Sequence, residues 1–154
     1  MKQTFLSIHN AQAVSLANIP LLQFTKFRNT ICTAVKARMQ LAALFCVPSE
    51  STHRLYAVLA DKKHATLHVA VSEVGKEYPS LTPDCMQAHL FEREIFEQHG
   101  ILPHGHEWLK PVRFPANSFH PDRTIGETDF YAMEGDEVHE VAVGPVHAGV
   151  IEPG

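Results

Sequence analysis

The chain has 154 residues, 45% of them hydrophobic and 19% charged, a composition that excludes disorder and makes one compact domain with an appended tail the expectation. A formal net charge of -4 without Lys/Arg clusters excludes a nucleic-acid partner, and the best apolar run, Leu41 to Val47, is too short for direct membrane insertion. The start, MKQTFLSIHN, has no secretory pattern, which makes the cytoplasm the expected compartment.

Between Ile19 and Met39 the apolar residues Leu22, Phe24, Phe27, Ile31, Val35 and Met39 recur at mostly three- and four-residue spacing, which predicts an amphipathic helix with Pro20 in its first turn. Three short apolar or β-branched segments follow, Gln40 to Val47, Arg54 to Ala60 and Ala65 to Val71, parted by turn-like stretches. They predict an antiparallel meander packed on the helix. Thr82-Pro83-Asp84 reads as the N-cap of a second helix ending at about His99, with Met86, Leu90, Phe91 and Ile95 as its apolar face and Gly100 as a left-handed cap. Prolines crowd the chain beyond Ile101, so an extended wrap is expected, with one more strand at Val138 to Val143. The fold class predicted is therefore α+β: a small antiparallel sheet packed with two main helices, then an extended C-terminal tail. Cys32, Cys46 and Cys85 are odd in number and never paired as Cys-x-x-Cys, and read as buried thiols rather than cluster or disulfide ligands.

Chemistry-bearing side chains concentrate in FEREIFEQHGILPHGHEWLKP. Glu94 and Glu97, three apart, fit a general acid and base of a hydrolase, or simply a solvated helix face. His99, His104 and His106 invite a stand-alone metal-binding module, yet a glycine between two loop histidines fixes no geometry, and hydrogen bonds to backbone explain them equally. Arg93 offers a two-pronged pair to a carboxylate of its own domain or of a partner chain, and Trp108 suits an interface anchor or a core position. His53, His64 and His68 read as surface residues.

The segment YPSLTPDCMQAHLFEREIFEQHGILPHGHEWLKPVRFP resembles the signature region of the thirty-kilodalton subunit of respiratory complex I. The match lies in Glu92-Arg93-Glu94, Glu97, Gly100-Ile101, Gly105-His106 and Leu109-Lys110-Pro111. Tyr78 to Pro83 looks more like the relatives fused ahead of the large subunit in group-four nickel-iron hydrogenases, including formate hydrogenlyase, and the tail Gly144 to Gly154 looks like the opening of that large subunit.

The resemblance implies a thirty-kilodalton-type domain over residues 1–116, then a linker and the start of a forty-nine-kilodalton-like segment over 117–154. It implies a non-catalytic docking domain that binds the large subunit, beside iron–sulfur subunits of a membrane-bound complex, with Glu92, Arg93, Glu94, Glu97, His106, Lys110 and His147 toward partners. His147 falls in a stretch that, in large subunits, lies near the quinone or metal cavity. No metal or cofactor is implied in this chain; iron–sulfur clusters, with nickel-iron or flavin groups, belong to other subunits. Attachment to the inner membrane would come through those partners.

Overall fold

The computed structural model of the protein describes residues 4–49, 52–122, Gly135, 146–147 and 150–151. The three expected strands are present and slightly longer than expected: β3 (Gln40–Pro48), β4 (His53–Asp61) and β5 (Thr66–Val74), an antiparallel meander. Two pieces join the far side of β5: β1 (Leu6–Ile8), antiparallel, and β2 (Leu21–Leu22), parallel, giving the order β1-β5-β4-β3. Helix α1 (Phe24–Lys36) and helix α2 (His89–His99) complete the α+β arrangement the sequence predicted.

The first helix is shorter than its periodicity. Pro20 does not open it: the Pro20 carbonyl accepts the Val71 N–H at 3.2 Å, and Leu21–Leu22 lie in the sheet against Val71 and Ser72. The helical register begins only at Phe24, burying Phe27, Ile31, Cys32 and Ala34. It ends where Arg38 takes a left-handed backbone, φ 71°, which turns the chain into β3. A register irregularity between Leu41 and Ala43 puts Leu41 and Leu44, three residues apart, on the same buried side.

The main core lies between the sheet and the helices, formed by Phe27, Ile31, Leu44, Leu55, Leu59 and Ile95 with their neighbours. A smaller cluster of Ile19, Tyr56, Val69 and Val71 covers the opposite face, so β4 and β5 are apolar on both sides. The expectation of buried thiols holds: Cys32, Cys46 and Cys85 are free and buried, and burial raises all three, Cys46 to about 11.

Helix α2 departs from expectation in two ways. Thr82 does not cap it; a 3₁₀ turn at Met86–Ala88 intervenes and α2 starts at His89. Its buried positions include Glu92, Arg93, Ile95 and Glu97, whereas Met86 and Leu90, expected inside, are 68% and 57% exposed. Charged groups enter the interior because each finds partners there. Gly100 does cap the helix in the left-handed conformation, φ 67°. After it, β7 (Leu102–His104) pairs parallel with β6 (Glu77–Pro79), a ladder inside the stretch expected to lack regular structure. In the tail Val146–His147 (β8) and Val150–Ile151 (β9) pair antiparallel; the strand expected at 138–143 lies outside the described residues.

Ile95 is 2% exposed and Leu90 faces out. Ile95→Ala should therefore lower unfolding stability by about 2–4 kcal/mol, while Leu90→Ala should change it by less than about 0.5 kcal/mol, read by urea denaturation. Equal losses would mean that the buried side of α2 is misassigned.

Candidate functional site

The residues flagged from sequence lie on α2 and the loop after it. Glu92 is fully buried, 0% exposed, and its carboxylate accepts the Leu81 N–H at 2.8 Å, the Thr82 N–H at 3.0 Å, and the Ser80 and Thr82 hydroxyls at 2.6 Å each. Thr82 thus serves a buried carboxylate rather than a helix end. Four donors around one carboxylate are what makes its burial tolerable. Tyr78 lies beside this site with its ring 5.3 Å from Phe24, and burial, then the Glu92 charge, pushes its hydroxyl well above the usual tyrosine range.

One residue on, Arg93 reaches the other way. Its Nε donates to the Lys110 carbonyl at 2.7 Å and Nη2 to the Pro111 carbonyl at 2.9 Å, with its guanidinium 5.0 Å from the Trp108 ring centre. The planar fork serves backbone carbonyls rather than a carboxylate. Glu97 grips the next residues: its carboxylate accepts the N–H groups of Val112, Arg113 and Phe114 at 2.6–3.3 Å. Phe114 holds a left-handed backbone, φ 50°, within this cradle. Glu94, less buried, pairs with Arg113 at 2.8 Å and accepts from Gln98. With both Glu97 oxygens occupied by N–H donors, Glu94 and Glu97 are not arranged as a general acid and base.

The histidines are separated rather than gathered. His106 donates from Nε2 to the His89 carbonyl at 3.2 Å and accepts the Trp108 N–H at Nδ1 at 3.1 Å, and its ring stacks on His89 at 4.8 Å. His99 faces His53 at 6.2 Å, and His104 sits in β7. Among the described residues no three His, Cys, Asp or Glu side chains are grouped to hold a metal ion. Lys110 is half-buried and contributes its carbonyl to Arg93; His147 has its backbone in β8, and its side chain lies outside the described residues. His68 is half-buried, near Ser7 and Thr66, and His64 is exposed and pairs with Asp61, which it holds below the usual carboxylate range.

Sequence reasoning missed Ser80, Leu81 and His89. Ser80 and Thr82 flank a buried leucine, but nothing local announces that a glutamate ten residues later will fill the space between them.

The outer side of this helix-and-loop unit is apolar. Met86, Leu90 and Trp108, the last 48% exposed, lie around the His89 end of α2, and a groove of about 510 Å³ runs between Met86, Leu90, Phe91 and Val112 with Glu94 and Arg113 on its wall. No helix among the described residues is long and apolar enough to cross a membrane.

These features define an α+β domain whose charged helix ties down two loops and leaves an apolar ridge outside. The chain belongs to the family described as respiratory-chain NADH dehydrogenase, 30 Kd subunit, whose sequence pattern matches residues 16–127. No curated protein matches the chain.

Removing the Glu92 carboxylate would leave buried donors unpaired, so Glu92→Ala should cost on the order of 3–5 kcal/mol in urea denaturation. A loss below about 1 kcal/mol would contradict the anchoring role. Burial, followed by His106 and Arg93, lowers the His89 pKa; burial, followed by His53, lowers that of His99. Both folded values lie below the ordinary 6.5, so the unfolded chain binds more protons there. This stability is complete above about pH 6.5, the unfolded value, and is lost as pH falls from there through the lower folded values. The melting temperature should drop between pH 7.5 and 5.5, and drop less in His99→Phe; identical profiles would exclude His99 as a source.

Proposed function

We propose that this chain is a non-catalytic docking domain of an electron-transfer assembly of the complex I or group-four nickel-iron hydrogenase kind, seated on the large, forty-nine-kilodalton-type subunit. The single observation that carries this reading is the apolar ridge of Met86, Leu90 and Trp108 on a helix whose own charged residues are engaged internally. Large apolar side chains standing together on a surface, with a tryptophan among them, are what a partner interface uses as anchors. Family membership supplies the kind of assembly.

In this reading the signature residues act at two depths. Glu92, Arg93 and Glu97 shape the surface from behind by fixing loops 80–82 and 110–114. Glu94, His106 and Lys110 form the polar rim around the anchors. His147 would lie in the large-subunit-like segment. The resemblance of Gly144 to Gly154 to the opening of a hydrogenase large subunit favours the hydrogenase type, with iron–sulfur and nickel-iron groups in other subunits and membrane attachment through them.

Co-expression with a large subunit of this kind tests the reading. Met86→Asp and Leu90→Asp should each leave the circular dichroism spectrum and melting temperature near wild type, since both positions are exposed, and should abolish co-purification. Retained co-purification in both variants would overturn the proposed docking surface.

A further inference from the structure

At the C-terminal end of α1 lies an open groove of about 850 Å³ whose lining includes Lys36, Arg38, Gln40, Leu41, Lys62 and Gln87. It forms where the end of α1, the beginning of β3, the β4–β5 turn and the 3₁₀ turn at Met86–Ala88 come together. Leu41 belongs to the main core and is 4% exposed, so the groove is recessed against the body of the domain. The three cations are exposed, and none of them enters an ion pair among the described residues. No carboxylate among the described residues lines the groove.

The fold does not require this charge. The last carbonyls of α1 are taken by backbone: Thr33 accepts the Ala37 N–H, Ala34 the Met39 N–H and Val35 the Arg38 N–H, each at 3.0 Å. No cation is needed to cap the helix end. The helix dipole favours Lys36 in the last turn of α1, but Lys62 comes from the β4–β5 turn. There the Asp61 carboxylate is already occupied by the Lys63 and His64 N–H groups and the His64 ring. Arg38 stands at φ 71°, where glycine is the comfortable residue. Gln87 accepts the Leu41 N–H at 2.7 Å with its side-chain oxygen, which leaves its amide NH₂ as a donor at the groove.

Three cations and an amide donor around a recess without a compensating carboxylate make an anion-accepting surface. Its shape selects among anions. A lipid headgroup layer is met by cations protruding from a flat or convex face, whereas a recess takes an extended chain whose acidic side chains reach its walls. We propose that this groove binds an acidic peptide segment of a partner protein, with Arg38 gripping one carboxylate in two-pronged fashion and Lys36 and Lys62 pairing with its neighbours. Gln87 also lines the groove beside the apolar ridge, so the two surfaces share a border. The acidic-peptide site does not rest on the docking reading: Met86, Leu90 and Trp108 do not line it, and it is tested on this chain alone.

Fluorescence anisotropy of a fluorescein-labelled hexaglutamate peptide, titrated with the intact chain, tests this. The chain carries a net charge of -4 and as a whole repels such a peptide, so saturable binding has to be local. Binding should be present at about 0.01 M salt and weaken several-fold by about 0.15 M, as the screening length falls from about 30 Å to about 8 Å. Arg38→Gly, which suits the left-handed backbone, and Lys62→Gln should each weaken it several-fold with no loss of melting temperature. Lys26→Gln, at an exposed position in the first turn of α1, and Leu90→Ala, on the ridge, should leave it unchanged. Absence of saturable binding, insensitivity to Arg38→Gly and Lys62→Gln, or an equal weakening by Lys26→Gln or Leu90→Ala would each overturn the proposal. So would co-sedimentation with phosphatidylglycerol vesicles that Arg38→Gly abolishes, since the groove would then serve a lipid surface.

Discussion

A carboxylate taken fully out of water must recover its hydration from donors within the protein, or it destabilises the fold by several kcal/mol. Glu92 recovers it from two backbone N–H groups and two hydroxyls of residues 80–82. The rest of the second half follows from this constraint. Fixing residues 80–82 to α2 sets where β6 ends, and the Ser80 N–H in turn donates to the carbonyl of His104, the last residue of β7. With Glu92 pinned on one side of the helix, Arg93 and Glu97 face the chain segment 110–114, where the guanidinium takes carbonyls and the carboxylate takes N–H groups. Backbone without regular structure must place its polar groups somewhere. Here one eleven-residue helix satisfies much of two loops with three side chains.

This use of the charges explains the unusual exterior of α2. A helix packed by aliphatic residues turns them all inward. Because Glu92, Arg93 and Glu97 occupy interior positions, Met86 and Leu90 remain outside, at the end of α2 where Trp108 stacks on His89 and lies under the Arg93 guanidinium. The same inversion that stiffens the loops therefore creates the apolar ridge. In the docking proposed above, loops held by these hydrogen bonds would lower the ordering cost of association.

The sheet was legible because its signals are local: short apolar runs, turn residues between them, and a period of two. The helices were legible in existence but not in extent. At the first, Leu21 and Leu22 continue the helical period, yet β5 offers a free edge that takes them as strand. At the second, period-based reasoning assigned Met86 and Leu90 to the core, since nothing in HLFEREIFEQH reveals that carboxylates will be matched by N–H groups from residues 80–82 and 112–114. The Glu-Arg-Glu cluster was visible as a concentration of chemistry. Its role was not, because a hydrogen bond to a distant backbone leaves no trace in side-chain identity. The parallel β6–β7 pair was hidden for the same reason: Tyr-Pro and Leu-Pro dipeptides read as breaks, although Pro79 at the end of β6 and Pro103 in the middle of β7 both fit this short ladder.

Charge in this protein divides by depth. The buried charges, Glu92, Arg93 and Glu97, are each matched by backbone or hydroxyl groups, which do not titrate near neutrality and do not respond to salt as mobile ions do. The loop architecture should therefore be indifferent to ionic strength. The exposed charges differ: Arg28–Asp84, Arg54–Glu73 and Glu94–Arg113 are surface pairs whose net contribution is small and screened. Sensitivity to pH enters between these layers, at His89 and His99, half-buried imidazoles held neutral beside another imidazole. His89 stacks on the ring that receives the Trp108 N–H, so protonation there would act on the tryptophan-bearing loop before it acted on the sheet or on the Glu92 anchor. The loop that carries Trp108 is thus also the part of the domain in direct ring contact with the His89 imidazole.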